Sequence, residues 1–318
     1  VKRKLIHQGS DKHGSYTVTL PVSWVRKYGL KQGDELDLAE HGNALWLLSG
    51  KEATHAQHAE IDMRDFHLKQ IRNRLQHYYR QGVEQITIRY KDALRRHTRT
   101  GMVNTLREEI EFTVRTQMPG MELEKLSADT AVIRQFGEPM VENFDVSFNK
   151  LWNILPNQIQ MVIGLGTTLD PKLLDEIRLG DKTLNKFCNF CMRVLHKRGE
   201  SSNARLLSAA SAISLIEFLG DLIYITAIEH HKFKKKINPT VSKLLGNLAQ
   251  AVHACAAYFH DQKQEHMHKL MRMREELHTL RNPERFDYAN SRTLARLEAC
   301  FDMLVNITDE ACIKEKTE

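Results

Sequence analysis

Between Ser15 and Leu20 the chain alternates, with Tyr16, Val18 and Leu20 against Ser15, Thr17 and Thr19, the period of two that sets one face of a β-strand on a core. Pro21 ends the strand, because it brings no N–H to a ladder but suits the first turn of a helix. Trp24, Val25 and Tyr28 then recur at one-turn spacing, and Gly29 supplies a C-terminal stop, so a strand feeds one short helix. Lys31-Gln32-Gly33-Asp34 is turn chemistry, Leu36 and Leu38 resume the period of two, and His41-Gly42-Asn43 marks a turn before Leu45-Trp46-Leu47-Leu48. The pattern predicts a β-α-β-β unit over residues 1–50.

The polar stretch Ser49–Glu60 has no periodicity and reads as a linker. Residues 62–137 follow as a small basic α/β module. Phe66, Ile71, Leu75 and Tyr78 or Tyr79 mark a helix, Val83–Tyr90 a strand, and Val103, Leu106, Ile110 and Val114 a second helix broken at Pro119-Gly120. Strands over Met121–Leu126 and Thr130–Phe136 join at Ser127-Ala128-Asp129. From Pro139 the pattern is helical, with helices near 140–163, 171–198, 203–236, 239–262, 264–281 and 290–314. The fold class is therefore multi-domain α+β: a small N-terminal β unit, a basic α/β module, and an all-α region over 140–318.

The all-α region repeats itself, once over about 140–236 and again over 239–314. Ser214-Leu-Ile-Glu-Phe-Leu-Gly-Asp-Leu-Ile-Tyr returns 81 positions later as Ala295-Arg-Leu-Glu-Ala-Cys-Phe-Asp-Met-Leu-Val. Glu217 falls on Glu298, Asp221 on Asp302 and Glu229 on Glu310, and Ile213, Ile216, Leu222 and Ile223 fall on Leu294, Leu297, Met303 and Leu304. Each Glu-x-x-x-Asp pair sits at i, i+4, where like charges cost a few tenths of a kcal/mol, roughly 0.2–0.5. A shared hard cation, divalent or iron-type, would offset that cost without being catalytic. The plainer reading is a solvated polar stripe through Ser211, Ser214, Glu217 and Asp221.

Charge adds a partner class. The net charge is +6, with a pI near 9.0, which suits an acidic partner, most simply nucleic acid. Through Lys31 the cations Lys2, Arg3, Lys4, Lys12, Arg26, Lys27 and Lys31 stand against Asp11, and the acids Asp34, Glu35, Asp37 and Glu40 come later. This split gives one face a positive potential, although lysines also protect sheet edges from pairing. The module is basic too, with Arg64, Lys69, Arg72, Arg74, Arg80, Arg89, Lys91, Arg95, Arg96, Arg99 and Arg107 against Asp65, Glu84 and Asp92. That density extends a DNA footprint or is a solvated surface; the sequence leaves both open.

A composition of 42% hydrophobic and 27% charged residues is that of a globular chain and excludes general disorder. No uninterrupted apolar run reaches the roughly 18 residues of a membrane span, and the N-terminus is charged, so a cytoplasmic protein without membrane insertion is expected. Five cysteines argue for a reducing compartment. Cys188-Asn-Phe-Cys191 lies in an apolar helical run and reads as core, Gly164-Leu-Gly166 as a helix end, and His230, His231, His266 and His268 as surface. No nucleophile–base pair or phosphate loop is present, so the chain is not expected to be an enzyme.

The basic first strand, Ser15-Tyr16-Thr17-Val18-Thr19-Leu20-Pro21, Trp24 and the Gly29-Leu30-Lys31-Gln32-Gly33-Asp34 turn together resemble the SpoVT-AbrB family. The resemblance implies a swapped-hairpin barrel built by two chains, hence a homodimer. It also implies double-stranded DNA as ligand, contacted by Lys2, Arg3, Lys4, Lys12, Arg26 and Lys27. Residues 140–314 resemble PhoU in their two three-helix repeats and in Glu217, Asp221, Glu298 and Asp302, though Asn185 and His278 stand where that family carries further carboxylates. Together the two resemblances imply an archaeal phosphate-uptake regulator, with a phosphate transporter subunit or signalling protein as further partner. The alternative is a PhoU-type adaptor in which the barrel serves only for dimerisation.

Overall fold

The structure is a computed structural model describing residues 3–9, 15–41, 44–49, 58–96, 103–137, 143–197, 204–280 and 286–311. The chain divides into two units, Val1–Ala56 and Gln57–Glu318.

In the first unit β1 (Leu5–Gln8) pairs antiparallel with β2 (Ser15–Val18), Leu5 opposite Val18 and Gln8 opposite Ser15. The strand ends two residues before Leu20 because its partner begins at Leu5. Pro21, at φ −63°, starts α1 (Val22–Lys27), and its carbonyl accepts from Trp24 N at 2.9 Å and Val25 N at 3.1 Å. Gly29 closes the helix at φ +61°, where a Cβ would be strained. β3 (Leu36–His41) and β4 (Ala44–Ser49) form an antiparallel hairpin. Its expected turn at Gly42-Asn43 lies outside the described residues. No residue of this unit whose burial is described is buried, and Leu5 is 67% exposed.

The second unit begins with β5 (His58–Asp62), α2 (Leu68–Arg80), β6 (Gln85–Arg89), β7 (Leu94–Arg96), β8 (Val103–Thr105), α3 (Leu106–Gln117), β9 (Met121–Leu126) and β10 (Thr130–Gln135). A four-stranded sheet runs β5-β6-β10-β9, with β5 parallel to β6 and the other pairs antiparallel. The expected linker thus ends earlier than its polarity suggests, since His58–Glu60 belong to β5. Ile71, Leu75 and Tyr79 of α2 and Leu106, Ile110 and Val114 of α3 bury one helical face each against Ile86, Ile88, Ala131 and Ile133. Thr105 and Glu108 cap α3 reciprocally, each side chain accepting from the other's backbone N–H at 3.1 and 2.7 Å.

Six helices follow: α4 (Phe144–Thr168), α5 (Pro171–Lys197), α6 (Ala204–Phe233), α7 (Pro239–Asp261), α8 (Gln264–Leu280) and α9 (Tyr288–Ala311). α4, α5 and α6 pack on one another, as do α7, α8 and α9, and the two groups meet through α4 on α7 and α6 on α9. Burial repeats with the sequence: Ile213 and Leu294, Ile216 and Leu297, Leu219 and Cys300, and Ile223 and Leu304 are all buried at the same offset of 81. Gly164 and Gly166 lie within α4 rather than ending it. A Cβ on Gly166 would come within 2.2 Å of Ile237, whose N–H donates to the Gly166 carbonyl at 2.9 Å, so the glycine serves close packing. By length and composition Leu207–Phe233 is apolar enough to cross a membrane, which a reading of uninterrupted runs missed, and half of its apolar window is buried inside the bundle.

Module and bundle are joined by buried polar side chains. Arg193 is fully buried; its guanidinium lies 4.7 Å from the Tyr79 ring centroid and donates to the carbonyls of Tyr79 (2.6 Å) and Val83 (3.0 Å) and to Gln135 Oε1 (2.6 Å). Lys197 pairs with Glu84 at 3.0 Å, and Asn189 donates to the Gln117 carbonyl at 3.1 Å.

Candidate nucleic-acid interface

In the first unit, Arg3 and Lys4 lead into β1, and Arg26 and Lys27 occupy the last turn of α1; all four are exposed. Cations in a last turn also suit the negative end of the helix dipole. The Trp24 and Tyr28 rings lie 5.4 Å apart between centroids, tilted by 55°, and Lys27 Nζ sits 5.1 Å from the Tyr28 ring centroid. The following turn is fixed by the Lys31 N–H donating to Asp34 Oδ2 at 2.9 Å and the Asp34 N–H returning to the Lys31 carbonyl at 3.1 Å, with Gly33 at φ +92°. Lys2 and Lys12 lie outside the described residues. What this surface offers is exposed guanidinium and ammonium groups on a short strand and helix, a donor set for phosphate oxygens.

Leu5, Tyr16, Val18, Val22, Leu38 and Leu45 are all exposed in the single chain. Burying such side chains is worth about 1.5–3 kcal/mol each, so this unit has a core's composition without a core's burial.

The acidic pairs are placed differently from the expectation of a shared cation. Arg80 Nη2 donates to Glu217 Oε1 at 2.7 Å and Oε2 at 2.8 Å, while its Nε donates to Asn189 Oδ1 at 2.6 Å. Arg274 Nη2 donates to Asp302 Oδ1 at 2.6 Å. One carboxylate of each pair is thus met by an arginine, which offsets the like-charge cost. Among the described residues no three or more His, Cys, Asp or Glu side chains gather into a metal-binding group. Arg80 and Arg274 thus hold Glu217 and Asp302 where a shared cation was expected. Glu229 receives Arg292 at 3.0 Å and Arg296 at 2.7 Å. Burial pushes its carboxyl up, but hydrogen bonds and charge from the two arginines outweigh that and hold it below the usual range.

Cys188 and Cys191 are buried, and burial pushes the Cys191 thiol up to about 12, so neither is an activated thiolate. His230 is fully buried rather than at the surface, with Nδ1 donating to the Lys235 carbonyl at 2.7 Å and Nε2 2.8 Å from Thr293 Oγ1. Arg80 and Arg193 escaped the sequence reading as joining residues, because nothing local to them reports that a second element packs there.

Residues 13–47, which include β2 and α1 with its exposed Arg26 and Lys27, are similar to MazE/AbrB-type, antitoxin-like domains of the swapped-hairpin kind. Those residues match the model of the family described as antidote-toxin recognition MazE, bacterial antitoxin. The match spans β2, α1, β3 and most of β4, and leaves the second unit outside it. No curated protein and no solved structure matches the chain.

Proposed function

We propose that the chain is a homodimeric, DNA-binding transcriptional regulator. Two copies of the N-terminal unit complete one barrel, and Lys2, Arg3, Lys4, Lys12, Arg26 and Lys27 contact phosphates or base edges of an operator. The observation that carries this reading is the MazE-type match over a basic unit in which no residue whose burial is described is buried, so that the ligand-binding element and the need for a second copy coincide.

The helical region is then the signal-receiving half. Its two three-helix repeats and their acidic pairs support the finer reading of a regulator of phosphate uptake with a transporter or signalling partner. Since arginines occupy one acid of each pair, this half senses through a protein partner or an anionic ligand rather than through a metal cluster. A second reading follows from the description of the matched family: an antitoxin-type regulator whose further partner is a toxin protein.

The test is fluorescence anisotropy of the full chain on duplex upstream of phosphate-transport genes, compared with scrambled duplex of equal length across a salt series. Preference of about a thousandfold supports a site-specific regulator. Equal and weak binding that vanishes at moderate salt contradicts it and leaves the dimerising adaptor. Selective binding to duplex upstream of the chain's own gene alone would favour the antitoxin reading over the phosphate one.

A further inference from the structure

The β7–β8 ribbon stands apart from everything the DNA-binding reading uses. Its strands pair with each other and, among the described residues, with no other strand. Leu94 faces Thr105, Arg95 faces Asn104 and Arg96 faces Val103, so alternation sets Leu94 and Arg96 on one side and Arg95 on the other. Leu94 and Val103 are exposed, Arg96 is exposed, and Lys91 and Arg107 are exposed at the two flanks.

Among the described residues the charge of this cluster is not paired with an acid. Elsewhere in the same module Arg64 pairs with Asp62, Arg72 with Glu109, Arg115 with Glu111 and Arg134 with Glu124. No described acidic side chain forms an ion pair with Lys91, Arg95, Arg96 or Arg107. The nearby acid, Asp92, instead accepts from the Arg107 backbone N–H at 3.1 Å, at the start of α3.

We propose that this ribbon is a second contact to duplex DNA, with Arg96, Lys91 and Arg107 meeting phosphates and Leu94 and Val103, on the face of Arg96, lying against the groove. The proposal rests on the DNA-binding reading above. A duplex suits the site better than an acidic protein face for three reasons. A two-stranded ribbon is the width the major groove admits. Guanidinium forks match phosphate oxygens. And apolar side chains beside them meet thymine methyl groups. Two linked contacts on one duplex would add avidity to the N-terminal contact.

The experiment measures duplex binding by the full chain across a salt series, for wild type, Arg95→Gln/Arg96→Gln, Lys91→Gln/Arg107→Gln and Arg26→Gln/Lys27→Gln. Each ribbon variant is expected to bind cognate and scrambled duplex more weakly near 0.1 M salt, with the log–log salt slope shallower by about one for Arg95→Gln/Arg96→Gln and by about two for Lys91→Gln/Arg107→Gln. The Arg26/Lys27 variant is expected to lose the preference for cognate DNA. Unchanged affinity and slope in both ribbon variants, with unchanged circular dichroism, overturns the ribbon contact while leaving the regulator standing. Absence of duplex binding by wild type overturns both. Unchanged duplex binding with lost retention on immobilised polyglutamate reassigns the ribbon to an acidic protein and overturns the proposal.

Discussion

The two units of this chain spend their apolar side chains in opposite ways. Gln57–Glu318 closes two cores of its own and ties them together through Arg193, Arg80 and Lys197, so its order is settled within one molecule. Val1–Ala56 has strands and a helix with correct local chemistry, but none of its residues whose burial is described is buried. Local propensity thus suffices to set elements, while the proposed dimer would give the smaller unit the stability its own burial does not. The comparison also separates roles: charge in the first unit and on the β7–β8 ribbon is assigned to a ligand, whereas Arg64, Arg72 and Arg134 of the module are already paired with acids of the same chain.

The largest effect that would sharpen this contrast is expected at Arg193. Arg193→Ala strips donors from two carbonyls and Gln135 and should destabilise the larger unit by about 3–5 kcal/mol, read as a lower urea midpoint of the far-UV helix signal; a loss under about 1 kcal/mol would show that the joint is not held there. Gly166→Ala drives a Cβ into Ile237 and should cost about 1–3 kcal/mol in the same assay. Dilution should act on the other unit: each tenfold drop in protein concentration lowers dimer-dependent stability by about 1.4 kcal/mol, so Trp24 fluorescence should melt earlier on dilution while the helix signal stays. Identical shifts in both signals would break the comparison.

Acid gives the smallest effect. His230 is depressed, chiefly by burial, so it is neutral when folded, and its contribution is lost as pH falls from 6.5 through its lower folded value. Glu229, also depressed, contributes above the ordinary value of 4.5 and loses that contribution as pH falls through its folded value. Glu229→Gln should flatten the lower limb of a stability-versus-pH curve and leave the upper one; an unchanged lower limb would remove Glu229 as its cause.

Much of the architecture was legible because burial and sequence share a period. The offset of 81 that aligned Ile216 with Leu297 is the offset at which burial repeats, and Pro21, Gly29 and the Lys31–Asp34 turn act locally as their chemistry dictates. β5 was hidden because five residues with only Ala59 and Ile61 apolar look like a linker until β6 pairs with them. β7 and β8 were hidden because three-residue strands are too short to show a period. The candidate interface was read from charge together with the strand–helix–turn pattern, since charge alone fits an edge strand guarded by lysines equally well. The fate of the acidic pairs could not be read, because Arg80 is 137 residues from Glu217 and only packing brings them together.

The most direct test of the central claim is the mass of the complex between the full chain and a cognate duplex, measured by sedimentation equilibrium. The account predicts two chains per duplex, with a variant carrying Leu5→Asp and Val18→Asp losing both dimer and complex while keeping its helical signal. A complex of one chain per duplex, or a monomer that binds cognate DNA as tightly as wild type, would contradict it.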